Sequence, residues 1–337
     1  MNFRDSILGQ PGNLRRSAET FLQALERVDL SQFERVPLVF TGMGASLFAV
    51  TPAVRALRAA GRQASAVPPT ELLEPGGERL GGAFIGLSQS GKSAETNDAF
   101  RRISAPRLAL TNSGDGPLAD VADRALPIGS DDDTGISVLT YTASIVATVA
   151  LADRLGGLGV EVDVASLSDV MRQAIEATGP VAERLAERLD GVSALDVVGG
   201  GPSRSSAGYA ALAIREAARV HTASFETRQY LHGPIEVAES GSAAIVLGRD
   251  PEVRLARELA GYGVLVLLVT DALGEAGGSE DEVGGPAVLR LPSVADPFVP
   301  LLQAVPGQLL AAELARRRGI DPGTLRHVQE DTKVRNR

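Results

Sequence analysis

The sequence contains no cysteine. That excludes a disulfide framework, a cysteine-ligated metal and a cysteine nucleophile, and it fits a reducing compartment. Positive charge is scarce: 33 Lys and Arg stand against 42 Asp and Glu, a formal net charge of −9. A broad interface with a nucleic-acid backbone is therefore not expected, although a few local donors can still hold one phosphate. The opening residues Met1-Asn2-Phe3-Arg4-Asp5 lack the apolar core of a signal peptide. No stretch offers ~20 apolar residues free of charge, so no membrane-spanning helix is expected. The longest apolar runs, such as Val264–Val269, have strand length. These absences point to a cytoplasmic protein with neither nucleic acid nor membrane as partner.

What is present is globular. Hydrophobic residues make up 44% and charged residues 22% of 337, enough for two domains with cores of their own. Short β-rich runs alternate with longer helical ones, the pattern of α/β proteins with parallel sheets. The spacing predicts helices over 13–28, 46–60, 92–103, 137–155 and 166–189, and strands over 37–41, 83–87 and 107–111. The pattern then restarts. Leu38-Val39-Phe40-Thr41-Gly42-Met43-Gly44-Ala45-Ser46 is echoed by Leu195-Asp196-Val197-Val198-Gly199-Gly200-Gly201-Pro202-Ser203, and Ala83–Leu87 by Ala243–Leu247. Two echoes in matching order, about 160 residues apart, indicate two tandem copies of one α/β unit. The chain divides into an N-terminal helical segment (1–34), a first domain with a candidate phosphate loop (35–160), a connecting helix (161–190), a second domain (191–322) and a tail (323–337).

The copies differ where chemistry would lie. The first continues its second strand with Ser88-Gln89-Ser90-Gly91-Lys92-Ser93; the second has Gly248-Arg249-Asp250-Pro251 there. Three hydroxyls and a glycine between a buried strand and a helix suit a phosphate monoester, since a helix N-terminus leaves N–H groups unpaired and is partly positive. One serine would be an ordinary helix cap; three in six residues ask for more. A rival reading is literal. Gly86 to Ser93 spells G-x-x-x-x-G-K-[ST], the P-loop of nucleotide hydrolases, with Asp271 as a candidate Walker-B acid. It ranks second, because Asp271 belongs to the other repeat and the strand after the loop ends in Thr111-Asn112. A dinucleotide reading of Gly42-Met43-Gly44 ranks third, for want of a third glycine and of an acid at the end of the next strand.

Gly42-x-Gly44-x-Ser46, Ser88-Gln89-Ser90-Gly91 and His232-Gly233-Pro234, in that order, resemble the double sugar-isomerase (SIS) domain family. The nearest comparisons are the isomerase half of glucosamine-6-phosphate synthase and stand-alone fructosamine deglycases and ketose/aldose isomerases. The resemblance runs from about residue 35 to the C-terminus. It implies two flavodoxin-like α/β sandwiches, a sugar-phosphate substrate, a homodimer, and neither metal nor redox cofactor.

By that resemblance Ser88, Gln89, Ser90 and Ser93 bind the sugar phosphate, and Ser46 and Ser137 contact the ligand. Glu216, in Ala213-Ile214-Arg215-Glu216, matches the glutamate that moves a proton between C1 and C2 through an enediol(amine). On its own it would be a solvent-facing glutamate on an Ala-rich helix. His232 matches the ring-opening histidine, often lent to a neighbouring subunit's site; Glu226 matches an acidic position of the deglycases. Ala213 stands where the family has a lysine. His327 stands at about the place of a tail lysine, with Lys333 a second choice. Those two departures put the synthase's own reaction in doubt and leave open a phosphosugar sensor without catalysis. No glutaminase domain precedes the first unit, so glutamine-dependent amination by this chain alone is not expected.

Overall fold

Strands buried on both faces read as unbroken apolar runs, and Ala83–Leu87 and Ala243–Leu247 do so because every residue in each is buried. The computed structural model describes residues 2–189, 191–192, 194–272, 285–327 and 329–334. The chain forms two compact units. The first comprises Gly9–Asp133, Ser137–Ser168 and Arg326–Arg337; the second comprises Asp169–Leu325 with Met1–Leu8 and Thr134–Ile136.

The sheet of the first unit contains β1 (Leu38–Thr41), β2 (Ala64–Val67), β3 (Ala83–Leu87), β4 (Arg107–Thr111) and β5 (Arg124–Pro127), in the order β2-β1-β3-β4-β5. Every pairing is parallel. The helices up to and including the link to the second sheet are α1 (Phe3–Arg27), α2 (Ala45–Ala59), α3 (Pro69–Leu73), α4 (Ala94–Arg102), α5 (Pro117–Asp120), α6 (Leu139–Gly156) and α7 (Val164–Arg188). The sheet of the second unit contains β6 (Leu195–Gly199), β7 (Thr222–Phe225), β8 (Ala243–Leu247), β9 (Leu265–Thr270) and β10 (Ala287–Arg290), in the order β10-β9-β8-β6-β7. It too is parallel throughout. Its helices are α8 (Ser203–Ala218), α9 (Thr227–Tyr230), α10 (Glu252–Gly261) and α11 (Val299–Arg317).

Counted from its own first strand, each sheet runs 2-1-3-4-5, the doubly wound flavodoxin-like order. The two tandem α/β units expected from the echoes are therefore present. The turn after the first strand is built alike in both. A Cβ on Gly42 would lie 2.8 Å from the Leu87 carbonyl oxygen and from the Ser46 Cβ; one on Gly199 would lie 2.8 Å from the Ser203 carbonyl oxygen. Only glycine lets the helix start so close to the strand end.

Two elements differ from expectation. Helix α1 begins ten residues before the predicted start and runs through Gln10-Pro11-Gly12. The apolar face Phe3, Ile7, Leu14, Ala18, Phe21 and Leu25 is buried along its whole length, so the helix continues through Pro11. The segment Asp296–Arg317 is long and apolar enough to span a membrane by composition. Its most apolar 18-residue window is instead entirely buried, as α11 of the core. Gly307 packs directly on Ala210, and the Gln308 Nε2 donates to the Tyr209 hydroxyl at 2.9 Å.

Candidate functional site

In doubly wound sheets ligands bind beyond the carboxyl ends of the strands, where the strand order reverses. In the first unit that switch point lies between β1 and β3, whose ends lead into Gly42-Met43-Gly44 and Ser88-Gln89-Ser90-Gly91. The hydroxyl loop thus occupies the expected place. It closes as a turn, with the Gly91 N–H donating to the Ser88 carbonyl at 3.0 Å. Gly91 has φ +66, and a side chain there would also press on the Asp115 carbonyl and the Thr111 methyl at 3.4 Å.

The loop's hydroxyls are organised from within. Ser88 Oγ faces the Ser93 N–H at 3.5 Å, and Ser90 Oγ faces the Lys92 N–H at 3.4 Å. Thr96 donates to Ser93 Oγ at 3.0 Å, and Ser93 donates to Glu95 Oε2 at 3.2 Å. The buried Asn97 Nδ2 ties the Gly91 and Ser93 carbonyls, each at 2.8 Å, fixing the entry into α4. Ser88 and Ser93 are buried, Gln89 is half-buried and Ser90 is exposed. Ser46, half-buried in the first turn of α2, is brought near the end of β3, since both crowd the same face of Gly42.

Ser137 is half-buried two residues before α6. Its surroundings rest on polar residues that sequence reasoning missed. Asp133 caps α6, accepting from the N–H groups of Val138, Leu139 and Thr140 at 3.0, 2.7 and 3.0 Å. Burial nonetheless holds its carboxyl above the ordinary range. Asn13, fully buried in α1, accepts from the Asp131 N–H at 2.7 Å and donates to Ser130 Oγ and the Leu139 carbonyl, both at 3.2 Å.

The C-terminal tail belongs to the first unit and lies along this loop. Lys333 pairs with Ser93 as an isolated antiparallel bridge, and the Val334 N–H donates to the Lys92 carbonyl at 2.9 Å. His327 is exposed six residues earlier. Of the two candidate tail cations, Lys333 is therefore the one whose backbone meets the hydroxyl loop.

The P-loop match dissolves in three dimensions. Its first glycine, Gly86, lies inside β3, in register with Thr41 and Ala109. A Cβ there would lie 2.5 Å from the Phe100 ring, so this glycine seats α4 on the sheet. Asp271 follows β9 of the second sheet and is held by Arg249 at 2.6 and 2.8 Å, well below the usual carboxylate range because of that guanidinium.

In the second unit Glu216 lies on α8. Its side chain has exposed surface, yet enough protein surrounds the carboxyl to strip much of its hydration, with no compensating cation or donor among the described residues. This desolvation pushes its pKa up to about 7. Ala213, one turn earlier, is buried. Glu226 caps α9, accepting from the Gln229 N–H at 2.9 Å. His232 is exposed in the turn that follows. That turn hangs from a buried anchor: the Tyr230 hydroxyl donates to Asp196 Oδ2 on β6 at 3.1 Å. Burial raises the Asp196 carboxyl, and burial together with that carboxylate raises the Tyr230 hydroxyl strongly. Neither residue stood out in the sequence.

No family model matches the chain. The glutamine–fructose-6-phosphate aminotransferase of Zymomonas mobilis is 27% identical, over 97% of this chain and 58% of its own length. The relative from Mycobacterium tuberculosis is 28% identical over 74% of this chain and 43% of its own length. The chain thus spans about half the length of the curated relatives it matches. Among solved structures, the C-terminal domain of glucosamine-fructose-6-phosphate aminotransferase from Francisella tularensis superposes with a TM-score of 0.79 at 18% identity, over 95% of this chain and 96% of that one. A glucosamine-6-phosphate deaminase from Thermotoga maritima gives 0.76 at 19% identity, over 97% and 98%. In sequence the chain is thus similar to these aminotransferases, and in fold to the C-terminal domain of one of them, in keeping with the resemblance its motifs carry.

Proposed function

We propose that the chain is an isomerase or deglycase of a ketose phosphate or amino-sugar phosphate. The observation that carries this reading is the hydroxyl loop Ser88–Ser93 at the switch point of the first sheet, on a fold whose relatives are named for sugar-phosphate chemistry. Ser88, Gln89, Ser90 and Ser93 hold the phosphate, while Ser46, Ser137, Glu226 and the tail residue His327 contact the sugar. Glu216 takes a proton from one of the two carbons C1 and C2 and returns it to the other through an enediol(amine). A carboxyl titrating near neutrality suits both halves of that task. His232 exchanges a proton between the ring oxygen and the anomeric hydroxyl. The active form is a cytoplasmic homodimer, and the chemistry uses no metal or redox cofactor.

Thermal shifts with a panel of sugar phosphates, and separately with ATP and Mg²⁺, test the ligand class, because a ligand raises apparent stability by mass action. Stabilisation by ATP–Mg²⁺ and by no sugar phosphate would sink the reading. A second reading, a non-catalytic phosphosugar sensor, is favoured by Ala213, which puts a methyl where the family resemblance places a lysine. Solvent deuterium at C1 of a ketose or C2 of an aldose separates the two. Tight binding with no exchange in any candidate would favour the sensor.

A further inference from the structure

The second sheet has a switch point of its own, between β6 and β8. A crevice of about 240 Å³ lies there, lined by the turns after both strands and by α11. Its chemistry is opposite to that of the hydroxyl loop. Glu252, at the start of α10, is 6% exposed. Its carboxylate lies against Gly200 and Gly248, where a Cβ would approach it to 2.6 and 2.8 Å. It accepts one hydrogen bond, from Thr227 Oγ1 at 2.6 Å, and among the described residues no cation reaches it. Gln303, 5% exposed on α11, lines the same crevice with a buried Oε1 that has no hydrogen-bond partner.

Leaving a carboxylate and an amide oxygen buried with so few partners costs free energy that packing alone would not retain. The remaining charges do not supply the missing donors. Arg249 is already engaged by Asp271, and also faces Asp296 at 3.7 Å; Asp250 is held by Arg254 at 2.9 Å. A lining of acceptors with an excess of negative charge calls for a ligand that brings donors and a positive charge. We propose that this crevice binds a small hydroxylated ammonium compound, an aminated sugar without phosphate, through Glu252 and Gln303. The ammonium meets the Glu252 carboxylate, a hydroxyl donates to Gln303 Oε1, and the crevice rejects phosphate by charge. This site is separate from the hydroxyl loop, and it stands whether or not the chain is an isomerase.

Calorimetric titration of the full chain with glucosamine tests it, with glucose, which differs in that one nitrogen, and inorganic phosphate as controls. Saturable binding of glucosamine is expected, with neither control binding comparably. Gln303→Leu and Glu252→Gln should each weaken it by about tenfold or more. Gln303→Leu replaces an unpartnered acceptor with an apolar side chain of similar size, so its melting temperature should equal or exceed that of the parent. Should it not fold, Glu252→Gln keeps the Thr227 contact and carries the test. Ser88→Ala, in the other unit, should leave glucosamine binding unchanged. No binding, binding indifferent to both crevice substitutions, loss on Ser88→Ala, or equal binding of glucose would each overturn the proposal.

Discussion

If Glu216 is the base that moves the sugar's proton, its ionisation must govern the pH dependence of the reaction. Desolvation raises its carboxyl from about 4.5 to about 7. Its ionised fraction then rises from about 1% at pH 5 to about 90% at pH 8, so kcat/KM should rise about 90-fold across that interval. A carboxyl at its ordinary value would give only about 1.3-fold. The assay is solvent deuterium incorporation into a bound sugar phosphate, followed from pH 5 to 8. Glu216→Gln should cost a factor of about 10²–10⁴ at pH 8, the usual worth of a positioned base, and should flatten the profile, so that the cost shrinks about 90-fold by pH 5. A profile already flat from pH 5 to 8, or a fully active Glu216→Gln, would refute the assignment.

The same carboxyl offers a check that needs no substrate. Between pH 4.5 and 7 the folded chain holds the Glu216 proton more tightly than the unfolded chain does. Its contribution to stability is therefore complete below about 4.5, declines as pH rises to about 7, and is level above. Denaturant unfolding of the parent and of Glu216→Gln should give a stability difference that tracks pH only inside that window. A difference that is constant with pH would mean the carboxyl titrates as it does in water.

Three further outcomes follow from packing and bonding. Gly91→Ala forces a non-glycine residue to φ +66 at the mouth of the hydroxyl loop, and should lower stability by about 1–2 kcal/mol. Thermal shifts with sugar phosphates should also shrink. Gly307→Ala places a methyl 2.5 Å from the Ala210 Cβ, backbone against backbone in the α8–α11 crossing. Overpacking there should cost about 1–3 kcal/mol by urea unfolding, with no change expected in the pH profile of deuterium exchange. Tyr230→Phe leaves the buried Asp196 carboxylate without its donor, at a cost of about 1–3 kcal/mol. That cost should diminish as pH falls, because burial raises the Asp196 carboxyl and favours its neutral form, and unfolding series run from neutral pH downward would show it.

Legibility in the sequence followed burial. β1, β3, β8 and β9 are covered on both faces, so they appear as nearly continuous apolar runs and could be read directly, while β4 and β6 keep an apolar run beside one charged residue, Arg107 and Asp196. The edge strands could not. Ala64-Ser65-Ala66-Val67 and Arg124-Ala125-Leu126-Pro127 are only partly buried and take their register from a neighbour. The hydroxyl loop was legible because three serines in six residues exceed what capping needs. The residues that hold the surrounding segments were not legible, because each is a lone polar side chain whose partner is distant in sequence. Asn13 meets Asp131, and Tyr230 meets Asp196. Such pairs leave no local pattern, and only the folded chain reveals that two ordinary residues satisfy each other.

The repeated architecture accounts for two switch points, and the residues at each for their opposite character. The backbone requirement is shared: a strand, a close glycine turn and a helix at the point where strand order reverses. Nothing in that requirement fixes the sign of the ligand. In the first unit the segment after the third strand supplies the hydroxyls of Ser88, Ser90 and Ser93 and ends on a helix N-terminus. In the second the corresponding segment supplies Gly248 to Glu252, and Gln303 adds a buried acceptor from α11. A carboxylate at Glu252 would repel a phosphate group from any ligand that entered there. The second crevice therefore cannot be a weakened copy of the first. Where the first unit carries a run of hydroxyls, the second carries Glu252 with Gln303 facing it, an arrangement suited to the positively charged ligand proposed above.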